Sequence, residues 1–370
     1  MQEMKKRRIV LASLLKPVNE PRMFEKMGVS LAQSGEYEVH IVGYPSETLI
    51  NEPNVYLHSL PRFKRISFGR ITARLKALQF FIKVKPELLI VTTHELLGVA
   101  IVIRILFGAK IIYDIQENYW RNILFTNAFP KLIRPLIAFF VRLKEWVSSP
   151  LFLQFLLAEK FYANELGFIK NKFVVIENKC KVPQDFQQNP SKDFIRLVFT
   201  GTIAKSTGVF QAIDLAKKLH AIEPKIRLTI IGYCAQTNGL QKIKNEISKN
   251  DFITLTGADE FVSHSLIMNT IASANFGIIY YPLSPHIENK IPTKLYEYLA
   301  CQLPILLQNH PPWMEMCDPC DAAINVNFES PNIGEILKKI HSSSFYSKKT
   351  YGITWEAEEE KLFGLLGHIF

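Results

Sequence analysis

Two doubly wound α/β domains are the fold this chain predicts, on three observations. Its 370 residues suffice for two domains that each bury a core, and 48% hydrophobic with 21% charged residues is a globular composition. Short apolar runs suited to buried parallel strands alternate with amphipathic stretches at helical spacing. The charge balance also changes along the chain: residues 1–180 hold 26 Lys and Arg against 15 Asp and Glu, a net +11, while residues 181–370 hold 18 against 19, a net −1. Pro183, Gln187, Gln188, Asn189 and Pro190 fall at that change, which predicts a linker at 181–193.

In the first domain Arg8 to Leu15 reads as a buried strand, Lys16 to Pro21 as a loop, and Arg22 to Gln33 as an amphipathic helix that Gly35 ends before the strand Tyr37 to Tyr44. No G-x-G-x-x-G follows the first strand, so a dinucleotide fingerprint is missing. Leu88 to Thr92 and Lys110 to Tyr113 read as further strands, with His94-Glu95 and Asp114 to Arg121 in the loops at their C-terminal ends, where doubly wound sheets hold ligands. A strand over Pro150 to Leu157, a helix over Ala158 to Leu166 and a strand over Phe173 to Ile176 complete this half.

Two segments carry the basic charge. From Pro61 to Lys85, Arg62, Lys64, Arg65, Arg70, Arg74, Lys76, Lys83 and Lys85 alternate with aromatic and aliphatic residues, and Lys131 to Lys144 repeats the pattern. Such helices either lie in an anionic membrane interface or pack an apolar stripe on the sheet with solvated charges outside. A nucleic-acid partner is not expected, because the basic residues belong to no recognisable binding module.

The second domain opens with a strand at Ile195 to Phe199 that runs into Thr200-Gly201-Thr202-Ile203-Ala204-Lys205-Ser206-Thr207-Gly208 and a helix over Val209 to Leu219. Glycines, hydroxyls, one lysine and a helix N-terminus suit an anion, without the spacing of a P-loop. Arg227 to Ile231 with Gly232-Tyr233, Ile253 to Asp259 and Phe276 to Tyr280 are the next strands, with a helix over Gln241 to Ser248 and a loop from Tyr281 to Asn289. Asn289 to Leu307 then combines Pro292 ahead of a first helical turn, Lys294 and Glu297 at i and i+3, Pro304 as a stop and a strand at Ile305 to Leu307. A carboxylate one turn into such a helix suits a ribose, beside a phosphate at the helix start. A strand over Asp321 to Asn327, a helix over Ile333 to His341 and a final helix with Thr354 as N-cap follow.

Proline, a lysine two residues later, Glu297-Tyr298-Leu299-Ala300 and a short turn to Leu303-Pro304-Ile305 resemble the nucleotide-binding segment of group 1 (family four) retaining glycosyltransferases. That resemblance implies the GT-B fold: two Rossmann-like domains facing a central cleft, an acceptor domain at 1–180, a nucleotide-sugar domain at 194–345, and a helix in 346–370 crossing back to the first. It implies donor contacts from Gly201, Thr202, Lys205, Gly257, Thr293, Lys294 and Glu297. Lys205 and Lys294 would meet the diphosphate, Glu288 is the candidate second acid, and Arg22, His94 and Glu117 would face the acceptor. The chain departs from the family pattern at four places: Gln116 in place of a histidine, Thr202 and Thr207 in place of basic residues, and Asn289 in place of an acid.

No metal or cofactor is expected, since no clear Asp-x-Asp occurs and the nucleotide-sugar is a substrate. Cys180, Cys234, Cys301, Cys317 and Cys320 are odd in number and scattered, against a disulfide framework, and the C-x-x-C at 317–320 lacks a second pair. No signal-peptide pattern and no 18-residue apolar run is present, which places the protein in the cytoplasm, peripherally on the inner face of the membrane if the basic helices bind there. The expected partners are a nucleotide-sugar donor, a glycan or lipid-linked acceptor and an anionic membrane surface. A sugar-nucleotide 2-epimerase on the same fold and a non-catalytic nucleotide-sugar-binding protein are the alternatives.

Overall fold

The structure, a computed structural model, describes residues 6–46, 51–63, 67–125, 129–234, 237–260, 262–285 and 287–370. The chain divides into two compact units, Met1–Asn178 with Trp355–Phe370 (unit 1) and Lys179–Thr354 (unit 2). Each is a parallel sheet with both faces buried, which is why its strands are nearly continuous apolar runs.

Unit 1 holds β1 (Arg7–Pro17), α1 (Val29–Gln33), β2 (Tyr37–Tyr44), β3 (Val55–Ser59), α2 (Gly69–Val84), β4 (Leu88–Val91), α3 (Leu97–Phe107), β5 (Lys110–Ile115), α4 (Tyr119–Phe125), α5 (Arg134–Ser148), β6 (Gln154–Leu157), α6 (Tyr162–Glu165) and β7 (Phe173–Val175). The strand order is β3-β2-β1-β4-β5-β6-β7. Alternate residues of β1 feed opposite cores: Val10, Ala12 and Leu14 join α2 and α3 on one face, Ile9 and Leu11 join Met23, Met27 and Leu31 on the other. A final helix, Glu356–Ile369, belongs to the second of these cores through Leu362 and Leu366, with Trp355 just ahead of it.

Unit 2 holds β8 (Ile195–Thr202), α7 (Val209–Ile222), β9 (Ile226–Tyr233), α8 (Thr237–Ile247), β10 (Ile253–Ala258), α9 (His264–Ala272), β11 (Phe276–Ile279), α10 (Thr293–Ala300), β12 (Ile305–Gln308), α11 (Pro311–Cys317), β13 (Ala323–Val326) and α12 (Ile333–Ser342), so the final helix is α13. Its strand order is β10-β9-β8-β11-β12-β13, all pairs parallel. Residues 181–193 form no helix or strand, yet they are fastened to unit 2: Gln188 Nε2 donates to the Cys301 carbonyl at 2.6 Å and the Asn189 N–H to that of Ala272 at 2.8 Å.

Several element expectations need correcting. The helix from Arg22 is π-helical over Arg22–Gly28 and α-helical only from Val29; nearly every side chain of its wide turns is buried, Arg22, Met23, Phe24, Lys26 and Met27 among them. The strand foreseen from Pro150 begins at Gln154, because Ser149–Leu151 is a 3₁₀ turn, and the helix foreseen over 158–166 shrinks to α6. Thr354 does not cap α13, since it bridges Cys180 and the helix begins after Trp355. In the basic stretch 61–85 the helix is α2, while Lys64, Arg65 and Ile66 lie outside the described residues, as does His286 in the loop before α10.

Candidate active site

Unit 2 reverses its strand order between β8 and β11, and a doubly wound sheet takes its ligand at the carboxyl ends of the strands at that point. Three glycines in register end three neighbouring strands there: Gly201 of β8 pairs with Gly232 of β9, which pairs with Gly257 of β10. All have positive φ, +92°, +152° and +79°. A Cβ on Gly232 would stand 1.7 Å from the Gly201 carbonyl oxygen, and one on Gly257 2.7 Å from that of Gly232. The three strand ends thus form a ledge of bare backbone that a flat or anionic group can approach closely.

Beside the ledge, the helix α10 starts on β11. Gly277 makes room for it, since a Cβ there would meet the Tyr298 ring at 2.4 Å. The Tyr298 hydroxyl lies 3.1 Å from Thr200 Oγ1 in β8, both residues fully buried, which fixes the helix to the strand that carries Gly201. Lys294, in the first turn of α10, is 5% exposed, and its Nζ has no hydrogen-bond partner among the described residues. The amine lies 3.8 Å from the centroid of Phe199 and 5.3 Å from that of Tyr281. Burial pushes its pKa down to about 7, against the opposing pull of Glu297. A buried amine without a partner, next to helical N–H groups, is a place prepared for an anion.

Glu297, one turn on, is half-buried, with Oε1 3.4 Å from Nε2 of His264, the first residue of α9. Thr293 is exposed at the helix start, behind Pro292 at φ −64°. Lys205 is exposed in the 3₁₀ turn Lys205–Thr207 that follows β8, and Thr202 is exposed at the strand's last position. Thr207, in a position that the resembled pattern fills with a base, uses its hydroxyl within the loop: it donates to the Thr202 carbonyl at 2.6 Å and accepts from the Ala204 N–H at 3.1 Å. Glu288 is exposed and opposes the burial that lowers the pKa of His310. The His310 ring stacks 3.9 Å from Trp313, whose indole N–H donates to the Lys290 carbonyl at 2.8 Å. Gly201, Gly257, Lys294 and Glu297 are therefore set at adjoining strand and helix ends, with Lys205, Thr202 and Thr293 open beside them. Gly232, His264, Phe199 and Tyr281 were not foreseen; the repeat of a glycine at the end of three successive strands was the available signal for Gly232.

The residues assigned to the acceptor side lie in unit 1. Arg22 is 1% exposed and holds Asp114 bidentately, Nε to Oδ2 at 2.9 Å and Nη2 to Oδ1 at 2.7 Å. It anchors the loop after β1 to the end of β5, and its Nη1, buried as well, has no hydrogen-bond partner among the described residues. Gln116 joins the same cluster through Asp114 Oδ2, 2.7 Å away, and through Lys16. His94 is also mostly enclosed: its Nδ1 is 2.9 Å from Lys144 Nζ and its Nε2 3.3 Å from Glu95. Burial, then Lys144, Arg70 and Arg74, push its pKa down to about 2, so the ring is neutral. Glu117 is half-buried and accepts from Asn122 Nδ2 at 2.5 Å. Among the described residues no group of three or more His, Cys, Asp or Glu side chains is placed to hold a metal. All five cysteines are buried and outside any disulfide.

Two parallel doubly wound units, one with a glycine ledge and a buried amine at its switch point, define a GT-B protein. Residues 181–343 match the family described as glycosyl transferases group 1. Among solved structures the chain is similar to sucrose-phosphate synthase from Thermosynechococcus elongatus, at 12% identity and TM-score 0.69 over 99% of both chains. It is similar also to an α,α-trehalose-phosphate synthase (UDP-forming) from Burkholderia vietnamiensis, at 11% identity and TM-score 0.65 over 99% of both chains. A third is HepE from Anabaena in complex with UDP and glucose, at 10% identity and TM-score 0.64 over 97% of this chain and 99% of that one. At these identities the likeness is one of fold. No curated protein matches the chain.

Proposed function

We propose that the protein is a metal-independent, retaining hexosyltransferase that takes a sugar from a nucleotide-sugar bound by unit 2 and passes it to a glycan or lipid-linked acceptor in surface glycan assembly. The observation that carries this reading is the buried Lys294 amine, without a hydrogen-bond partner among the described residues, in the first turn of α10, one turn before Glu297 and beside the glycines that end β8 to β10. In the reaction the bond from the anomeric carbon to the β-phosphate oxygen breaks with its electron pair going to the diphosphate, a bond to the acceptor oxygen forms, and the acceptor hydroxyl's O–H bond breaks with its proton passing to the departing diphosphate. Lys294, Lys205 and the first N–H groups of α10 would meet the charge that develops on the leaving group, in a site already organised for it. Glu297 would accept from the ribose hydroxyls, and the ledge would let the nucleotide lie against bare backbone. Acceptor contacts would fall to unit 1, with Glu117 and His94 the candidates. Activity in the cytoplasm, on the inner face of the membrane, follows from a lipid-linked acceptor.

Thermal stabilisation by UDP, GDP, ADP, CMP and their sugars tests the reading on the whole chain and on Glu297→Ala. UDP heads the panel because HepE, similar in fold, holds UDP and the similar trehalose-phosphate synthase is UDP-forming. Selective stabilisation by one nucleoside diphosphate, lost in Glu297→Ala, is the expected result. No shift with any of them at millimolar concentration would remove the donor role of unit 2.

A further inference from the structure

Helix α5 is inverted with respect to a water-facing helix. Its buried positions are Ala138, Val141, Glu145 and Ser148, and Glu145 accepts from the Tyr113 hydroxyl at 3.0 Å. Its outward positions are Leu136, Phe139, Phe140, Leu143, Trp146 and Val147, all exposed, with Trp146 and Val147 at 63%. They recur at three- and four-residue spacing and so form one stripe along the helix. Leu132, just before it, is 96% exposed. Helix α3 packs against α5 and leaves Val102, Ile105, Leu106 and Phe107 exposed, Ile105 at 75%. Helix α2 also packs against α3 and exposes Ile71, Leu75 and Ile82. Folded monomers rarely leave so much contiguous apolar surface in water, and where they do it marks an interaction site.

The charge on this layer is of one sign. Residues 67–85, 97–108 and 129–153 contain ten Lys and Arg and a single acid, Glu145, which is 2% exposed. Lys76, Lys83, Lys85 and Lys131 are exposed among the apolar side chains. A second copy meeting this face with its own would set cation against cation, which disfavours a symmetric dimer. An anionic bilayer supplies what the face lacks: hydrocarbon for Phe, Leu and Trp, and negative headgroups for lysines. Among the described residues no helix is long and apolar enough to cross a membrane, so the helices would lie in the plane of the interface.

We propose that the α2–α3–α5 face of unit 1 docks on an anionic lipid surface with the α5 stripe inserted among the acyl chains. The inference deepens the membrane location given with the transferase reading, but its observations lie on the unit 1 surface alone, so flotation without nucleotide can fail while nucleotide binding by unit 2 stands.

Flotation of the whole chain, without nucleotide, with vesicles of phosphatidylcholine alone and of phosphatidylcholine with phosphatidylglycerol tests it. The expected result is capture by the anionic vesicles, weakened by salt, with a blue shift of Trp146 emission. Phe139→Ser with Phe140→Ser and Trp146→Ser lowers capture at least about tenfold. Lys83→Ala and Lys131→Ala each lower it about fivefold, and on the anionic vesicles only. All five side chains are exposed, and an unchanged melting temperature confirms that the variants fold. Absence of capture by either vesicle, or equal capture of the wild-type and triple-variant chains, overturns the proposal. So does a concentration-dependent dimer that the triple variant dissolves, or binding only to an acidic protein.

Discussion

Lys294 Nζ stands 3.8 Å from the centre of the Phe199 ring, one residue before the Thr200 hydroxyl that meets Tyr298. Aromatic faces favour the ammonium form and burial disfavours it; burial prevails, and the pKa falls to about 7. An arriving diphosphate reverses that balance. Nucleoside diphosphate binding at pH 8 should therefore take up close to one proton, read by calorimetry in two buffers of different ionisation enthalpy, and Lys294→Met should bind weakly and take up none.

The same lysine sets a stability trend in the free protein. Its folded pKa lies below its unfolded value, so its contribution is fully present above the ordinary lysine pKa and is lost as pH falls through about 7. Wild type should lose urea resistance between pH 8 and pH 6 relative to Lys294→Met. Identical pH profiles for the two chains would place the amine in contact with water.

Gly232→Ala should be the most damaging single methyl on the ledge. Its Cβ would lie 1.7 Å from the Gly201 oxygen at a φ of +152°, so β8 and β9 must part. A loss of roughly 3 kcal/mol or more is expected, seen as a collapse of the melting temperature or of the soluble yield. Gly334→Ala, where a Cβ meets nothing nearer than 3.9 Å, serves as the tolerated control.

Arg22→Ala leaves Asp114 buried and charged without its partner, at a cost of about 3–5 kcal/mol. Replacing both, Arg22→Met with Asp114→Leu, should restore much of the urea midpoint. Nucleotide-induced stabilisation should persist in every variant that folds, because the pair belongs to unit 1. A normal midpoint in Arg22→Ala would show that the guanidinium faces solvent instead.

Gly277→Ala should act on binding through α10. The added methyl meets the Tyr298 ring at 2.4 Å and displaces the helix that carries Lys294 and Glu297. We expect nucleoside diphosphate affinity to fall at least about tenfold, while Tyr298→Phe, which removes the hydroxyl's contacts with Thr200 and the Val198 carbonyl, costs about 1 kcal/mol of stability. Unchanged affinity in Gly277→Ala would mean that the helix start is held from elsewhere.

Local chemistry made much of this legible in advance. Apolar runs such as Ile195 to Phe199 and Ile305 to Leu307 could only be buried strands, and Pro292 and Pro304 bracketed α10 to within a residue at its start. The donor-side residues lay within short stretches of chain, where spacing translates directly into neighbourhood. The pairing of Arg22 with Asp114 was not foreseen because the two are 92 residues apart, and no local pattern records a pairing of that range. For the same reason His264 was missed beside Glu297. The polarity of α5 could not be assigned from periodicity either, since a stripe of Leu, Phe and Trp looks the same whether it packs inward or outward.

Unit 1 is written in two pieces, with 179–354 between them. Trp355 donates through its indole N–H to Ser30 Oγ at 3.0 Å, the Glu358 carboxylate accepts from the Glu177 N–H at 2.9 Å, and Leu362 and Leu366 fill the face of β1 that Met23 and Met27 share. During synthesis the ribosome therefore delivers the last wall of this half only after the whole of the other half has been made. Unit 2, continuous in sequence, has every residue it needs to fold first, while the nascent 1–178 segment waits with one sheet face unsealed. The half that starts first finishes second.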